Sequence, residues 1–147
     1  MLVLLGDAQG RDEYVNELKY LAQDNGVSDR VIMPGHFNKM PRALAAADVV
    51  ISASTDPEAF GRVAAEAQAM QKPVVATAHG GALESVVDKK TGFLVTPSDA
   101  KALAEGIGKA LAWKTYDGPA ARARISAHFS TKSLQAKTLA VYNDLLK

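Results

Sequence analysis

Short apolar runs and longer stretches of helical periodicity alternate along this chain. The apolar runs occupy residues 2–5, 30–33, 49–53, 73–76 and 92–95, and each ends in a turn or a loop. Parallel strands need a long crossover between them, usually a helix, so this alternation is typical of a parallel sheet covered by helices. The pattern therefore predicts an α/β fold with helices on both faces of a parallel sheet.

The stretches between the apolar runs carry apolar residues at helical spacings. The first predicts a helix whose inner face is Tyr14, Leu18, Leu21 and Ala22, and a helix over about 60–70 has an inner face of Phe60, Val63, Ala64, Ala67 and Met70. Ser98 is predicted to cap a further helix. Residues 112–119 are expected to be irregular, and two helices over about 119–147 follow, the last with a face of Leu134, Thr138, Val141, Tyr142 and Leu145.

In a parallel sheet every strand delivers its following loop to the same edge, and ligands bind in the crevice beyond the strand ends. The loops 6–10, 54–61 and 77–84 are therefore the candidates for a ligand site. We expect one compact core, because 147 residues is close to the commonest size of a single domain.

The bulk composition excludes several classes of protein. A formal net charge of +1 gives no general attraction for nucleic acid or for an anionic membrane. The absence of cysteine excludes disulfides and thiolate metal sites, and a cytoplasmic location is expected. The run at residues 2–5 is too short for a signal peptide and is interpreted as a buried strand, and no stretch approaches the roughly 18 to 20 apolar residues that span a bilayer.

The segment DPEAFGRVAAEA, residues 56–67, places two carboxylates around the predicted start of a helix. Free N–H groups at a helix start carry the positive end of the helix dipole and can receive phosphate oxygens, and Gly61 allows a ligand to approach the backbone. Glu58 and Glu66 could then contact one ligand. At this spacing alone, however, two glutamates are usually no more than a helix-start residue and a solvated side chain.

The motifs around this pair resemble those of family 4 retaining glycosyltransferases, which have the two-domain GT-B architecture. In order, the chain reads DRVIMPG, ALAAADVVISAS, PEAFGRVAAEA, KPVVATAHGGALESV and TGFLV, after a first strand that ends at Gly6. The resemblance implies that residues 1–147 are one Rossmann-like GT-B half-domain that binds a nucleotide sugar. Ala8, Gln68, Gln71 and Leu83 depart from residues that are common in the family.

The resemblance also implies roles for individual residues. Glu58 would meet hydroxyls of the donor sugar and is the candidate catalytic residue, and Glu66 would meet the ribose. Backbone groups of four consecutive residues would meet the sugar or the diphosphate: Phe60, Gly61, Arg62 and Val63. Gly6 would lie on a turn below the same crevice, and Met33 and Pro34 would form a loop beside the nucleobase.

The activity implied is transfer of a sugar from a nucleoside diphosphate to a hydroxyl acceptor, with retained anomeric configuration and no metal cofactor. An acceptor-binding domain, and a strand and helix with an Arg and a Lys for the diphosphate, would precede Met1, so this chain alone is expected to be inactive. That missing half could also contact the inner face of the membrane.

Two other classes of function stay open. The chain could be a stand-alone nucleotide-binding or interaction module without catalysis, or part of a nucleotide-sugar epimerase, although no acid and base for an epimerase are identifiable. His36, His79 and His128 are too scattered for a metal triad, and His79 is interpreted as a loop residue. The donor base, the donor sugar and the acceptor are not determined by the sequence.

Overall fold

The computed structural model describes residues 1–146, which form two compact units, Met1–Met40 and the residues from Pro41 onward. Lys147, the last residue of the predicted C-terminal helices, lies outside the described residues. The first unit contains β1 (Leu2–Leu5), α1 (Asp12–Asp24), a 3-10 turn (Ser28–Arg30) and β2 (Val31–Gly35). The strands β1 and β2 pair in parallel, with α1 as the crossover between them.

The second unit is a three-stranded parallel sheet with helices on both faces. Its strands follow the order β3-β4-β5, and the elements from Met40 onward are α2 (Met40–Ala46), β3 (Val50–Ser52), α3 (Arg62–Ala69), β4 (Val74–Thr77), α4 (Ala82–Ser85), β5 (Gly92–Val95), α5 (Ala100–Leu111), α6 (Gly118–Phe129) and α7 (Thr131–Leu145). The predicted α/β class and the parallel strands are confirmed.

The central strand β4 supplies both cores of the second unit, because its side chains alternate between the two faces of the sheet. Val74 and Ala76 pack with Ala64 and Ala67 of α3. Val75 points the other way and packs with Val95 and Ala110, where α5 covers the sheet. All three β4 residues in these cores, Val74, Val75 and Ala76, are fully buried, so the loop after β4 begins at a strand in the centre of the core.

The described strands form two parallel sheets, β1-β2 and β3-β4-β5. The position of β1 is confirmed but its burial is not, since Leu2 and Val3 in this two-stranded sheet are exposed. The inner face of α1 also differs from the prediction: Tyr14 and Leu21 are exposed, and Ala22 is buried. Periodicity gives the apolar stripe of a helix, but not how much of the stripe is covered.

Several helix limits also differ. The helix α3 begins at Arg62, two residues later than expected, and its buried residues include Gln68 rather than Phe60 or Val63. Ser98 has a positive φ of 57°, so the cap of α5 falls on Asp99, whose carboxylate accepts a 2.9 Å hydrogen bond from the amide of Ala102.

The two C-terminal helices are confirmed, with two corrections. Pro119, expected in the irregular connection, lies in the first turn of α6, where a residue with no N–H is tolerated. The apolar face predicted for α7 exists in the sequence, but no residue of α7 is buried among the described residues. Within residues 1–146, no helix combines the length and apolar character that a bilayer crossing needs.

Candidate functional site

The loop between β3 and α3 is held in place from the end of β4. The hydroxyl of Thr77, the last residue of β4, donates a 2.8 Å hydrogen bond to the carbonyl oxygen of Ser54. The ring atom Nε2 of His79 lies 2.9 Å from the same carbonyl oxygen and 2.9 Å from Thr77 Oγ1. The buried central strand therefore anchors Ser54, the first of the candidate loop residues.

The carboxylate of Glu58 has a defined orientation in this loop. The hydroxyl of Ser54 donates a hydrogen bond to Glu58 Oε1. The amide of Gly81 donates a 2.8 Å hydrogen bond to the carbonyl oxygen of Glu58. Both the side chain and the backbone of Glu58 are thus tied to neighbouring loops, although the residue as a whole is exposed.

The start of α3 lies beside this carboxylate. Gly61 is the N-cap of α3, with the left-handed angles φ 72° and ψ 60°, and no side chain caps the helix. A Cβ atom added at Gly61 would lie 3.7 Å from Glu58 Oε2. Among the described residues, the amides of Arg62 and Val63 have no acceptor, so they can bind an oxyanion that approaches the helix end.

A small cavity joins these groups. It has a volume of about 10 Å³, and its lining residues are Ser52, Ser54, Glu58, Gly61, Thr77, His79 and Ala82. This volume holds about one water molecule, so any larger ligand must lie on the open side of Glu58. A larger cavity of about 330 Å³ lies between β5 and α5, but none of the predicted site residues lines it.

Glu66 occupies a different place from Glu58. It lies in the second turn of α3, where Arg62 Nη2 is 3.0 Å from its Oε1. The side chain of Arg62 is 83% exposed and that of Glu66 is 40% exposed, so this ion pair adds little stability and leaves both groups free to exchange partners. Glu66 does not line the cavity beside Glu58.

Phe60 is anchored to the C-terminal helices rather than lying free in the loop. Its ring centroid is 5.5 Å from that of Phe129, the last residue of α6. Arg124, also on α6, stacks over the Phe129 ring and donates two 2.8 Å hydrogen bonds to the carbonyl oxygens of Ser85 and Glu84. The loop before α3 therefore packs against α6.

The remaining predicted residues lie in the first unit. Gly6 follows β1, and its amide donates a 3.2 Å hydrogen bond to the carbonyl oxygen of Gly35. Met33 and Pro34 were expected in a loop, but both lie inside β2, because Ile32 before them and Gly35 after them pair with β1. Their roles beside a nucleobase stay predictions.

Four residues of the site were not predicted: Ser54, Thr77, His79 and Gly81. The sequence does place all of them in the loops after β3 and β4 or at their ends, the region where a ligand site was expected. What it lacks is the pairing between them, since Ser54 and His79 are 25 residues apart. Within the described part of the chain, no group of three or more potential metal ligands exists.

Similarity to known proteins is extensive. The model of the family "Glycosyl transferases group 1" matches residues 1–126. A D-inositol 3-phosphate glycosyltransferase of Xylanimonas cellulosilytica is 43% identical over 133 residues, which are 89% of this chain and 31% of that protein. A GDP-mannose-dependent alpha-(1-6)-phosphatidylinositol monomannoside mannosyltransferase of Mycolicibacterium smegmatis is 36% identical over 111 residues, which are 70% of this chain and 29% of that protein.

Solved structures of other proteins also match this chain. The structure of Anabaena Alr3699/HepE in complex with UDP is 37% identical and that with UDP-glucose is 39% identical, both with a TM-score of 0.86. In each case the match covers 95% of this chain and 40% of that chain. The chain thus spans less than half of these relatives, and its fold is that of a Rossmann-like GT-B half-domain. On the family match and the fold together, the chain belongs to the group 1 glycosyl transferases.

Proposed function

We propose that this chain binds a nucleoside-diphosphate sugar between Glu58 and the start of α3, as the donor-binding part of a retaining glycosyltransferase. The observation that carries the proposal is the juxtaposition of an oriented carboxylate with the uncapped amides of Arg62 and Val63. A nucleotide sugar presents hydroxyls and a diphosphate next to each other. Carboxylates accept hydrogen bonds from hydroxyl pairs, and helix amides bind phosphate oxygens.

Each part of the donor has its own partner in this proposal. Glu58 accepts hydrogen bonds from the sugar hydroxyls, and Glu66 exchanges Arg62 for the ribose hydroxyls. The backbone of Phe60, Gly61, Arg62 and Val63 binds the sugar and the diphosphate. HepE, which has been crystallised with UDP and with UDP-glucose, supports this class of ligand.

In the reaction, the bond between the anomeric carbon and the diphosphate breaks, and the acceptor hydroxyl loses its proton and bonds to the same face of that carbon. Negative charge develops on the leaving diphosphate, and the amides at the start of α3 are placed to stabilise it. This is the work that a metal ion does in other transferases, so we propose that no metal cofactor is required. Glu58 recognises the donor and is not the acid or base of a glycosidase pair.

We expect the chain alone to bind the donor without transferring the sugar, because the glycosyltransferase of X. cellulosilytica is more than twice its length. A second, acceptor-binding domain would be the partner that completes the reaction, and the cytoplasm is the proposed location. A nucleotide-binding module without catalysis is the alternative, and it predicts no transfer even when an acceptor-binding domain is supplied.

Amide spectra of the ¹⁵N-labelled chain, recorded with UDP, UDP-glucose, GDP and GDP-mannose in turn, test the proposal. Both bases are included because HepE and the M. smegmatis mannosyltransferase differ in the nucleotide that their names give. We expect the largest shifts at the amides of Arg62 and Val63 for one nucleotide family. Shifts confined to the larger cavity around Phe93 and Gly106 would reject the site.

A further inference from the structure

We propose that His79 is a positioning residue for Glu58, so that selection of the sugar over the bare nucleotide depends on the His79 ring. This inference rests on the proposed function, because it assumes that Glu58 meets the sugar. His79 does not contact the donor in this account. It acts through Ser54, which lies between the two residues in the hydrogen-bond network.

The geometry favours Nε2 as the ring nitrogen of His79 that carries the proton. His79 Nε2 lies 2.9 Å from the carbonyl oxygen of Ser54, and a carbonyl oxygen can only accept. We therefore assign the proton to Nε2, which then donates to this oxygen. The hydroxyl of Thr77 donates to the same oxygen at 2.8 Å, so the Ser54 carbonyl accepts two hydrogen bonds.

The second of these bonds is not needed to satisfy the carbonyl. One donor suffices for a partly buried carbonyl oxygen, and Thr77 already supplies it from the buried end of β4. The His79 bond instead adds a second, non-parallel restraint on Ser54. A residue held from two directions has less freedom to rotate, and this favours a positioning role over simple satisfaction of a polar group.

The restraint passes from Ser54 to Glu58 by the Ser54 hydroxyl, which donates to Oε1. Oε2 is left beside Gly61 at the start of α3. A glutamate side chain has several rotatable bonds, and ordering it costs conformational entropy. Because Ser54 is held in place, the Glu58 side chain is already ordered before a sugar binds. Glu58 therefore presents one carboxylate oxygen in a fixed position.

A ligand-free measurement tests the first half of the inference. Long-range ¹H–¹⁵N spectra of the imidazole are expected to show His79 with its proton on Nε2. The ¹³C resonance of the Glu58 carboxyl is expected to shift in His79→Leu and to return toward the wild-type position in His79→Gln, whose amide nitrogen can replace Nε2. A proton on Nδ1, or an unmoved Glu58 resonance in His79→Leu, would overturn the inference.

Binding measurements test the second half of the inference, that selection of the sugar depends on His79. The affinity ratio between UDP-glucose and UDP, or the corresponding GDP pair, is compared in the wild type, His79→Leu, His79→Gln and Glu58→Ala. The loss of one hydrogen bond that orders Glu58 is expected to lower the ratio by about 3-fold to 10-fold in His79→Leu, with bare-nucleotide affinity kept. His79→Gln should restore most of the ratio. The exposed His128 offers a control, since His128→Leu should leave the ratio unchanged.

The variants distinguish a failure of the proposed role of Glu58 from a failure of the proposed role of His79. If Glu58→Ala keeps the wild-type ratio, the assignment of Glu58 to the sugar is wrong, and the spectra alone decide whether His79 positions Glu58. If Glu58→Ala loses the preference while His79→Leu retains it at an unchanged melting temperature, the positioning role of His79 is wrong and the proposed function stands. Equal losses of affinity for the sugar nucleotide and for the bare nucleotide in His79→Leu would show that His79 has a purely structural role. That result would also overturn the inference.

Discussion

The amide of Gly81 donates a 2.8 Å hydrogen bond to the carbonyl oxygen of Glu58. It joins the loop after β4 to the loop before α3, and the neighbouring glycines allow this close approach. Gly80 has a φ of +53°, and a Cβ atom there would lie 2.9 Å from the nitrogen of Glu58 and would overlap its carbonyl oxygen. Glu58 therefore keeps its position only while the turn at 80–81 carries no side chain.

Gly80→Ala should lower the free energy of unfolding by about 2 to 4 kcal/mol, since it combines a left-handed backbone with overlap against backbone atoms. Urea unfolding followed by circular dichroism measures the change. Gly108→Ala in α5 is the matched control, because a Cβ there meets nothing within 4 Å. In a helix this change should raise stability by about 0.5 to 1 kcal/mol. The account of the turn is wrong if the two substitutions change stability in the same direction.

Ser85→Ala should raise the free energy of unfolding. Ser85 is fully buried, and its Oγ has no hydrogen-bond partner among the described residues. Removing an unsatisfied hydroxyl recovers its desolvation penalty, about 1 kcal/mol or more. The control is Ser126→Ala, at an exposed serine of α6. A Ser85→Ala protein less stable than Ser126→Ala would indicate an unseen partner for this hydroxyl.

Tyr116 makes the stability of the folded protein depend on pH in the alkaline range. Its hydroxyl donates a 2.9 Å hydrogen bond to the carbonyl oxygen of Lys72. Burial, with the carboxylate of Asp117 as a smaller contribution, raises the pKa of Tyr116 from 10.0 to about 12. Because the folded state has the higher pKa, the stabilisation is complete below pH 10 and is lost as the pH rises toward 12.

Tyr116→Phe should therefore be less stable than the wild type at neutral pH, by about 1 kcal/mol for the lost hydrogen bond. The difference between the two proteins should shrink when unfolding is measured at pH 12 instead of pH 9. Tyr142→Phe, at an exposed tyrosine of α7, should show no such convergence. A constant difference between wild type and Tyr116→Phe across this range would contradict the assigned pKa.

The sequence predicts the local elements better than their assembly. The strand at 92–95 and the helix over about 60–70 follow from runs and spacings of a few residues, and the structure has β5 and α3 close to those limits. The division into two sheets depends on which strands pair, and apolar runs do not encode their partners. Gln68 is buried although it is polar: its amide nitrogen donates to the carbonyl oxygens of Ala64 and Ser85, and its Oε1 has no partner among the described residues.

The candidate site shows the same limit. Glu58 and Gly61 are predictable from the segment that contains them, because a helix start is a local feature. The contribution of His79 is not predictable, because it depends on the distance between its ring and Ser54, and the fold sets that distance. The predicted partnership of Glu58 and Glu66 on one ligand stays a prediction, and the two carboxylates have different neighbours in the structure.

Calorimetric titration of the bare nucleoside diphosphate into the wild type, Glu66→Ala and Glu58→Ala tests the central claim most directly. We expect a wild-type Kd of roughly 0.1 to 1 mM, about −4 to −5.5 kcal/mol. A charge-assisted hydrogen bond to ribose contributes about 1.5 to 3 kcal/mol, so Glu66→Ala should bind about 10-fold to 150-fold more weakly. Glu58→Ala should bind the bare diphosphate almost as the wild type does and should lose only the preference for the sugar nucleotide. Equal losses of diphosphate affinity in both variants, at unchanged melting temperatures, would contradict the account.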